Sequence, residues 1–254
     1  MSRPDLEIRF SHLKLAGTKS PAHLRALLDG AEEDPTYAME RGSATHAILF
    51  GTSRVTSYPG AVRRGKEWEA FEKENADAII LTRNDHEKAL RMADALRKHA
   101  GAMDILAGQL ETTLRWTDCG IRRRCTPDAV VPGSHAAELK TCATADPARF
   151  TWQAIRYGYH AQLADQLAGI RTVGTLGTVT DAYIVAIEAT EPHPITILKL
   201  TPRALEQGAK LARLWFERVA TCLATEQWPP YAQDVVELNV PDDDELKIEF
   251  SDAA

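Results

Sequence analysis

The sequence predicts an α/β fold in which a central mixed β-sheet is flanked by helices. Apolar residues recur at helical spacing in the first hundred residues, near residue 160 and after residue 200. Short runs rich in β-branched residues, bounded by turn-forming residues, lie between residues 112 and 200. Strands that are framed by helices along the chain favour a single α/β domain, and a length of 254 residues fits one large domain.

The N-terminal hundred residues are predicted to be mainly helical. Ser20-Pro21 provides a capping residue and a first-turn proline for one helix. Further helices are predicted over about residues 36–50 and 84–100, with Gly101 as the stop of the latter. The intervening residues 52–65 are rich in Gly, Pro, Ser and basic side chains, which predicts a loop.

The remaining elements alternate between strands and helices. Strands are predicted over residues 112–117, 121–131, 135–141, 182–189 and 195–200. A helical period covers about residues 147–169, and Thr201-Pro202 begins a long amphipathic helix. The tail after Tyr231, which contains the acidic run from Asp242 to Glu245, is predicted to be irregular.

The composition is that of a soluble globular protein, and it excludes several classes. The hydrophobic share is 44%, the charged share is 26% and the net charge is −6, so nucleic-acid binding would have to depend on local basic patches. No stretch has the length and apolarity of a membrane span, and the N-terminus lacks the apolar core of a signal peptide; we therefore expect a cytoplasmic protein. The four cysteines include no Cys-x-x-Cys pair, which favours free thiols over a zinc ribbon or a disulfide framework.

Asp128, Glu138 and Lys140 form the segment with the clearest chemical meaning. In a strand, residues i and i+2 point to the same face, so Glu138 and Lys140 project together while Leu139 points the other way. Carboxylates on paired strands can converge on Mg²⁺, which lowers the pKa of a bound water and polarises a phosphoryl oxygen. A neighbouring ammonium group can orient that water or stabilise negative charge. The pattern alone is common, and an exposed salt-bridged hairpin is the alternative.

The order of several short motifs resembles the PD-(D/E)xK nuclease superfamily and, more closely, the RecE-like exonucleases of phages and prophages. The matching elements follow one another along the chain: Ser11 to Leu24, Pro35 to Phe50 with its Gly-x3-His element, Tyr58 to Trp68, Glu111, Pro127-Asp128, Glu138 to Lys140, Tyr159 to Gln162 and Trp228 to Tyr231. Each element alone is unspecific, and the order carries the resemblance. It implies one nuclease domain over residues 1–254, with a mainly helical part over residues 1–101 and a catalytic α/β core over residues 111–231.

The resemblance also implies a metal site. In such enzymes a helical histidine completes the metal shell, a role that falls on His46. The other protein ligands would be Asp128, Glu138 and the backbone carbonyl of Leu139, and Lys140 would be the catalytic lysine. Mg²⁺ is the implied cofactor and Mn²⁺ a substitute, because imidazole suits Mn²⁺ better than Mg²⁺. Without the resemblance, His46 would be interpreted as a hydrogen-bonded core histidine.

Further site residues are implied around this centre. Glu111 would be a supporting carboxylate, although a salt bridge at the edge of the core explains it equally well. Tyr159, Gln162 and Gln166 share one helix face. Gln162 could hydrogen-bond a phosphate or the scissile strand, which places it among the catalytic residues. Related nucleases carry Gln-x3-Tyr where this chain has Gln162 and Gln166; Tyr159 and Gln166 are predicted DNA contacts, and the role of Gln166 stays open.

Two basic runs are candidates for contacts with DNA. One comprises Arg63, Arg64 and Lys66, and the other contains Arg122 and Arg124. On a strand, Arg122 and Arg124 share a face, whereas the arginine between them points the other way. Such side chains hold backbone phosphates without reading base sequence. Solvated surface charge is the alternative interpretation of both runs.

These expectations combine into one leading hypothesis. The chain resembles Mg²⁺-dependent exonucleases that digest linear duplex DNA from the 5′ end in phage-type recombination, hand the exposed strand to a single-strand annealing protein and form homo-oligomeric rings. One alternative is a RecB-like nuclease of other polarity or substrate, such as the CRISPR-associated type with a cysteine-held iron–sulfur cluster; the scattered cysteines argue against it. Another is a non-catalytic DNA-binding protein that keeps the fold. A hydrolase acting on something other than nucleic acid is a remote option.

Overall fold

The computed structural model describes residues 6–31, 35–232 and 234–238, so the acidic run of the predicted irregular tail lies outside the described residues. The helices are α1 (Phe10–Thr18), α2 (Pro21–Leu28), α3 (Tyr37–Phe50), α4 (Lys66–Glu74), α5 (Arg83–Lys98), α6 (Ala100–Ile105), α7 (Pro147–Arg156), α8 (Tyr159–Val173) and α9 (Pro202–Thr225). The strands are β1 (Arg54–Tyr58), β2 (Ala78–Thr82), β3 (Gln109–Leu110), β4 (Leu114–Asp118), β5 (Ile121–Cys125), β6 (Ala129–Val131), β7 (His135–Cys142), β8 (Asp181–Glu188) and β9 (Ile195–Lys199). The predicted α/β fold with a central mixed sheet and flanking helices is confirmed. None of the helices in the described ranges is long and apolar enough to cross a membrane.

Five strands form the central sheet, in the order β3-β6-β7-β8-β9. β7 and β8 pair in parallel, and the other neighbouring strands pair antiparallel. β7 and β8 lie inside the sheet, and their many alanine, valine, isoleucine and leucine residues suit strands that are covered on both faces. Successive residues of β7 point to opposite faces, so Ala136 belongs to one core and Ala137 to the other.

Helices cover both faces of this sheet. On one face, α7 and α8 contribute Phe150 and Leu163 to the core that contains Ala136. On the other, α5 contributes Met92 to the core that contains Ala137. α9 packs behind α8, and Gly208 allows close contact, since a Cβ there would lie 2.4 Å from the backbone oxygen of His160. This stack holds α8 against the face of β7 on which alternate residues, from Ala136 onward, project.

Two elements after residue 111 are divided where the sequence predicts continuous ones. The strand predicted over residues 121–131 is divided into β5 and β6 around Pro127, because proline has no backbone N–H to donate to the sheet. The helix predicted over residues 147–169 is divided into α7 and α8 at Gly158. Gly158 has a φ of 71°, the left-handed conformation that commonly ends helices.

The N-terminal part also differs from the prediction. Residues 52–65, predicted as a loop, contain β1, which pairs in parallel with β2; the β-branched Val55 and Thr56 favour a strand. Gly101 is not a helix stop, because α5 ends three residues earlier and Gly101 lies within α6. His99 instead caps the N-terminus of α6, because its Nδ1 accepts a hydrogen bond from the backbone N–H of Ala102 in the first turn.

Candidate active site

Glu138 and Lys140 project from β7 toward α8 and contact each other, as strand alternation requires. Glu138 is buried, with 2% of its surface exposed. Its Oε2 accepts hydrogen bonds from Lys140 Nζ at 2.6 Å and from Gln162 Nε2 at 2.8 Å, and its Oε1 accepts one from Gln166 Nε2 at 2.7 Å. Three donors therefore fix the carboxylate in one orientation, which is how a buried charge is tolerated.

Lys140 is held in its cationic form. Burial acts to lower the pKa of its ammonium group, but the carboxylates of Glu138 and Asp128 outweigh burial, and the pKa lies above its ordinary value. The Nζ atom also lies 5.0 Å from the centroid of the Tyr159 ring, within the range of a cation–π contact. At neutral pH Lys140 is therefore a hydrogen-bond donor and a positive charge, and not a base.

Asp128 and His46 meet at the backbone of Leu139. The Oδ2 of Asp128 accepts a hydrogen bond from the Leu139 N–H at 2.7 Å, and His46 Nε2 donates one to the Leu139 carbonyl oxygen at 2.9 Å. His46 Nδ1 lies 3.6 Å from Asp128 Oδ2. Burial, helped by the ammonium of Lys140, lowers the pKa of His46 to about 4, so its imidazole is neutral at pH 7. Burial and the nearby charge of Glu138 raise the pKa of Asp128 well above its usual range.

The chemistry of these groups fits a divalent cation. Carboxylate and carbonyl oxygens are the donors that Mg²⁺ prefers, and a neutral imidazole is a good ligand for transition metals. His46 Nε2 and the Leu139 oxygen are 2.9 Å apart, close to the roughly 3 Å between neighbouring ligands of an octahedral ion whose bonds are about 2.1 Å long. These two groups could therefore be adjacent ligands of one ion when the imidazole proton is on Nδ1 and not on Nε2.

The predicted ligand set is brought together only in part. Across the described residues, no three side chains of His, Cys, Asp or Glu are grouped as a ready-made metal site. His46 contacts both Asp128 and the Leu139 carbonyl, whereas the Glu138 carboxylate is engaged by Lys140 and the two glutamines of α8. Mg²⁺ sites commonly rely on one or two carboxylates, with waters and substrate phosphates as the other ligands. The partial grouping is compatible with such a site.

Glu111 directly follows β3, at the edge of the central sheet. Its backbone N–H donates a hydrogen bond to the carbonyl oxygen of Asp128 at 3.1 Å. Its φ is 45°, an uncommon conformation for a glutamate, and strained backbone of this kind is often found at functional sites. Glu111 is thus adjacent to Asp128 along the edge of the sheet, where a supporting carboxylate was expected.

An open cleft of about 750 Å³ separates α3 from β7 and the α7–α8 corner. His46, Glu111, Lys140, Tyr157 and Tyr159 line it. Its volume lies in the range of sites that accept small molecules. The cleft therefore leaves room beside Lys140 for a phosphate and its sugar.

Gln166 is not placed where it was predicted to act. It is 3% exposed, and its Nε2 donates to Glu138, so the side chain cannot reach a DNA strand. Its own Oε1 has no hydrogen-bond partner within the described part of the chain. Gln166 therefore positions the Glu138 carboxylate, and Gln162, which is half-buried, donates to the same carboxylate from nearer the cleft.

The first basic run divides into an internal arginine and two exposed residues. Arg63 donates to the carboxylate of Glu40 at 2.9 Å and to the carbonyl oxygen of Ile80 at 2.7 Å. These bonds anchor its loop and leave Arg63 poorly placed for a phosphate contact. Arg64 and Lys66 are exposed and keep the position that such contacts require.

The second basic run alternates as strand geometry requires. Arg122 and Arg124 both lie near the carboxylate of Glu7, at 3.4 and 3.5 Å. Arg123 is buried on the opposite face and pairs with Asp165 at 2.7 Å. Arg122 and Arg124 therefore share a surface on which Glu7 offsets part of their charge, whereas Arg123 is a structural residue.

Tyr157 lines the cleft and Lys14 lies beside its ring; neither was predicted as a site residue. The Nζ of Lys14 lies 5.5 Å from the centroid of the Tyr157 ring and 5.8 Å from that of the Tyr159 ring. Burial lowers the pKa of Lys14, and the ammonium of Lys140 lowers it further. No local pattern marks Lys14 as a site residue, since α1 reaches the cleft only by packing against α9.

Comparison with solved structures agrees with the fold. A presumed exonuclease from Eubacterium rectale aligns with a TM-score of 0.69 and 14% identity, over 94% of this chain and 92% of that chain. An alkaline exonuclease from Laribacter hongkongensis aligns with a TM-score of 0.40 and 10% identity, over 98% and 95% of the two chains. A phage-related exonuclease from Haemophilus somnus aligns with a TM-score of 0.36 and 14% identity, over 87% and 97%. No curated protein sequence matches the chain.

The family assignment comes from the sequence itself. Residues 10–238 match the family described as a PDDEXK-like domain of unknown function (DUF3799). The match spans the candidate site, from Lys14 on α1 to Gln166 on α8, and it confirms the resemblance to PD-(D/E)xK nucleases. The chain therefore belongs to this PDDEXK-like family.

Proposed function

We propose that this chain is a metal-dependent deoxyribonuclease whose reaction takes place in the cleft beside β7. One observation carries the proposal: Lys140 and the neutral imidazole of His46 line this cleft, and the carboxylates of Glu138 and Asp128 lie behind them, in contact with Lys140 and His46 respectively. Metal-assisted hydrolysis of a phosphodiester can use this combination of groups. The family supports the proposal, because its descriptor contains the acid and lysine pattern of this site.

The protein groups have distinct tasks in this proposal. Lys140 donates a hydrogen bond to the attacking water or to a phosphoryl oxygen, and its positive charge stabilises the negative charge that develops in the transition state. Gln162 and Gln166 hold Glu138 in one orientation, and the Leu139 N–H does the same for a carboxylate oxygen of Asp128. Groups that are fixed before the reaction contribute more than groups that must reorient during it.

A divalent cation fits the donors at the end of the cleft. His46, Asp128, Glu138 and the carbonyl of Leu139 would hold it, with Mg²⁺ as the proposed ion and Mn²⁺ as a substitute. When bound, it would polarise the phosphoryl oxygen and lower the pKa of a water molecule. The low pKa of His46 keeps a nitrogen lone pair available for it at neutral pH.

The proposal extends to the substrate and the biological setting. We infer an exonuclease that digests linear duplex DNA from the 5′ end in phage-type recombination in the cytoplasm, with a homo-oligomeric ring and a single-strand annealing protein as partner. The resemblance to RecE-like exonucleases supports these points, and the exposed Arg64, Lys66 and Arg122, together with the half-buried Arg124, offer contacts for backbone phosphates. Glu111 would assist from the edge of the cleft.

The alternative with a cysteine-held iron–sulfur cluster has less support. Cys125 ends β5 and Cys142 ends β7, and these two strands belong to different sheets. Cys119 lies on an exposed turn and Cys222 on α9. A cluster would need these separate positions to come together.

The test uses linear duplexes that carry a label at either the 5′ or the 3′ end, with a closed circular duplex beside them. With Mg²⁺ we expect release of mononucleotides from one end of the linear DNA and no cutting of the circle. Lys140→Met should abolish release, whereas the exposed control Leu214→Ala on α9 should not alter it. Cutting of the circle would contradict an exonuclease, equal activity in EDTA would contradict metal dependence, and an active Lys140→Met protein would contradict the site.

A further inference from the structure

The exposed face of α7, formed by Arg149, Trp152 and Arg156, has an unusual composition. These positions are three and four residues apart, so they form one stripe on the helix. Trp152 is 73% exposed, and both arginines are exposed. Neither arginine side chain has an acidic partner among the described residues, and α7 itself contains no acidic residue. An aromatic ring thus lies between two cations that have no ion-pair partner in the part of the chain that the structure describes.

This stripe is next to the catalytic cleft. Phe150 and Ala154 on the opposite side of α7 are buried, which fixes the rotation of the helix and turns Trp152 to solvent. Gln153, on the flank between these two sides, lines the cleft, and so does Tyr157 at the C-terminal end of the helix. A chain that leaves the cleft past Tyr157 would therefore pass directly onto the exposed face of α7.

Cations and aromatic rings alternate between the stripe and the catalytic lysine. Lys140 lies 5.0 Å from the centroid of the Tyr159 ring, and Lys14 lies 5.8 Å from the same ring. Lys14 also lies 5.5 Å from the ring of Tyr157, which is next in sequence to Arg156. The alternation therefore continues from the interior of the cleft to the surface of α7.

Lys14 is a second and independent sign of an anionic ligand. It is half-buried and contacts two rings, and no carboxylate of the described residues pairs with it. A partly buried ammonium without an anion is unfavourable, and an anion beside it would stabilise it. This need is met if phosphates of the substrate pass Lys14 on their way from Lys140 to α7.

We propose that Lys14, Tyr157 and the exposed face of α7 form a track that binds an unpaired segment of the nucleic-acid substrate, with Trp152 stacking on a base. The inference rests on the proposed nuclease function, to which it adds the path of a single strand. Proteins that bind single strands combine cations along the backbone with aromatic rings under the bases. An apolar protein partner would cover Trp152 but leave Arg149 and Arg156 without counter-charges, so charge complementarity favours a polyanion. Stacking requires an unpaired base, which favours a single strand over a duplex.

The test is fluorescence anisotropy with a fluorescein-labelled single-stranded oligonucleotide, in Ca²⁺ and separately in EDTA, so that hydrolysis does not interfere. Trp152→Ala should weaken binding by about 5- to 150-fold, which corresponds to the 1–3 kcal/mol of one base–aromatic stack. Trp152→Phe should retain most of the affinity. Arg149→Ala/Arg156→Ala should make the negative slope of log affinity against log salt shallower by about 1.4, because each phosphate contact with a single strand contributes about 0.7 to its magnitude.

Two control variants remove exposed apolar or cationic side chains outside the proposed track. Leu214→Ala removes an exposed apolar residue from α9, and Lys98→Ala/Lys210→Ala removes two exposed charges from α5 and α9. Both should bind the oligonucleotide like the unaltered protein. Light scattering of each variant after size-exclusion chromatography reports any change in the number of subunits.

The outcomes separate this inference from the proposed function. The track is wrong if Trp152→Ala and the double arginine variant bind like the controls, if the unaltered protein binds no oligonucleotide, or if Trp152→Ala changes the oligomeric state and not the affinity. If the track variants lose binding but the unaltered protein digests no DNA in Mg²⁺, the track stands and the nuclease proposal fails. If the unaltered protein digests DNA in Mg²⁺ but the track variants bind the oligonucleotide normally, the nuclease proposal stands and the track fails.

Discussion

The buried pair of Glu138 and Lys140 leads to a quantitative prediction. Their side chains are 3% and 18% exposed, and their charged atoms are 2.6 Å apart. At an effective dielectric constant of about 20, the attraction at this distance is roughly 6 kcal/mol, and desolvation offsets much of it. We expect Lys140→Met to lower the free energy of unfolding by about 3 kcal/mol, because two buried carboxylates lose their counter-charge. Glu138→Gln should cost less, about 2 kcal/mol, since Asp128 still faces the ammonium.

The double variant distinguishes a coupled pair from two independent residues. If the ions stabilise each other, Glu138→Gln/Lys140→Met should be more stable than the sum of the single effects by about 2 kcal/mol. Urea denaturation followed by circular dichroism in EDTA gives the four free energies without metal linkage. Additivity within about 0.5 kcal/mol would refute the view that the two charges support each other in the folded protein.

Three further predictions concern the pKa of His12, the ion pairs of Arg123 and the role of Gln166. Burial lowers the pKa of His12 to about 4 from 6.5, so the unfolded chain binds a proton that the folded chain does not. His12 should therefore contribute a fall in stability between pH 6.5 and 4 of at most about 1.4 kcal/mol per pH unit, and urea titrations of His12→Asn should show a shallower fall. Asp165→Asn removes the buried partner of Arg123 and should lower the free energy of unfolding by about 3 kcal/mol. Asp118 is a more exposed partner of Arg123, at 3.8 Å, so Asp118→Asn should lower it by less than about 1 kcal/mol. Equal losses of stability would show that burial does not decide the cost. Gln166→Leu should lower kcat of DNA digestion by about 10-fold with little change in KM, because Gln166 is buried and orients the carboxylate of Glu138, which we propose to be catalytic. A rise in KM with unchanged kcat would restore Gln166 as a DNA contact.

The sequence predicts the parts of the site that depend on short-range geometry. The spacing of Glu138 and Lys140 fixes their common face once β7 is recognised as a strand, and the alternation of Arg122, Arg123 and Arg124 follows in the same way. His46 could be connected with Asp128 only through the family resemblance, because no local rule relates a position on α3 to one just before β6 when the two meet at the backbone of β7.

The features of the site and fold that the sequence does not predict depend mostly on tertiary packing. Residues on one helix face were predicted to contact DNA together, yet the contact of α8 with β7 buries Gln166. Lys14 reaches the cleft because α1 packs against α9, and the break at Gly158 turns the end of α7 toward the same cleft. β1 was missed because its β-branched residues lie within a stretch whose glycines and prolines indicate a loop.

One measurement tests the central claim most directly: the rate at which saturating enzyme releases nucleotides from end-labelled linear duplex DNA in Mg²⁺, compared between the unaltered protein and Lys140→Met. The Lys140→Met protein is first shown to be folded by circular dichroism and to bind the duplex in Ca²⁺. Loss of the transition-state charge stabilisation should slow release by at least about 100-fold, with Leu214→Ala unchanged. A folded, DNA-binding Lys140→Met protein that releases nucleotides at the unaltered rate would contradict the assignment of this cleft as the nuclease site.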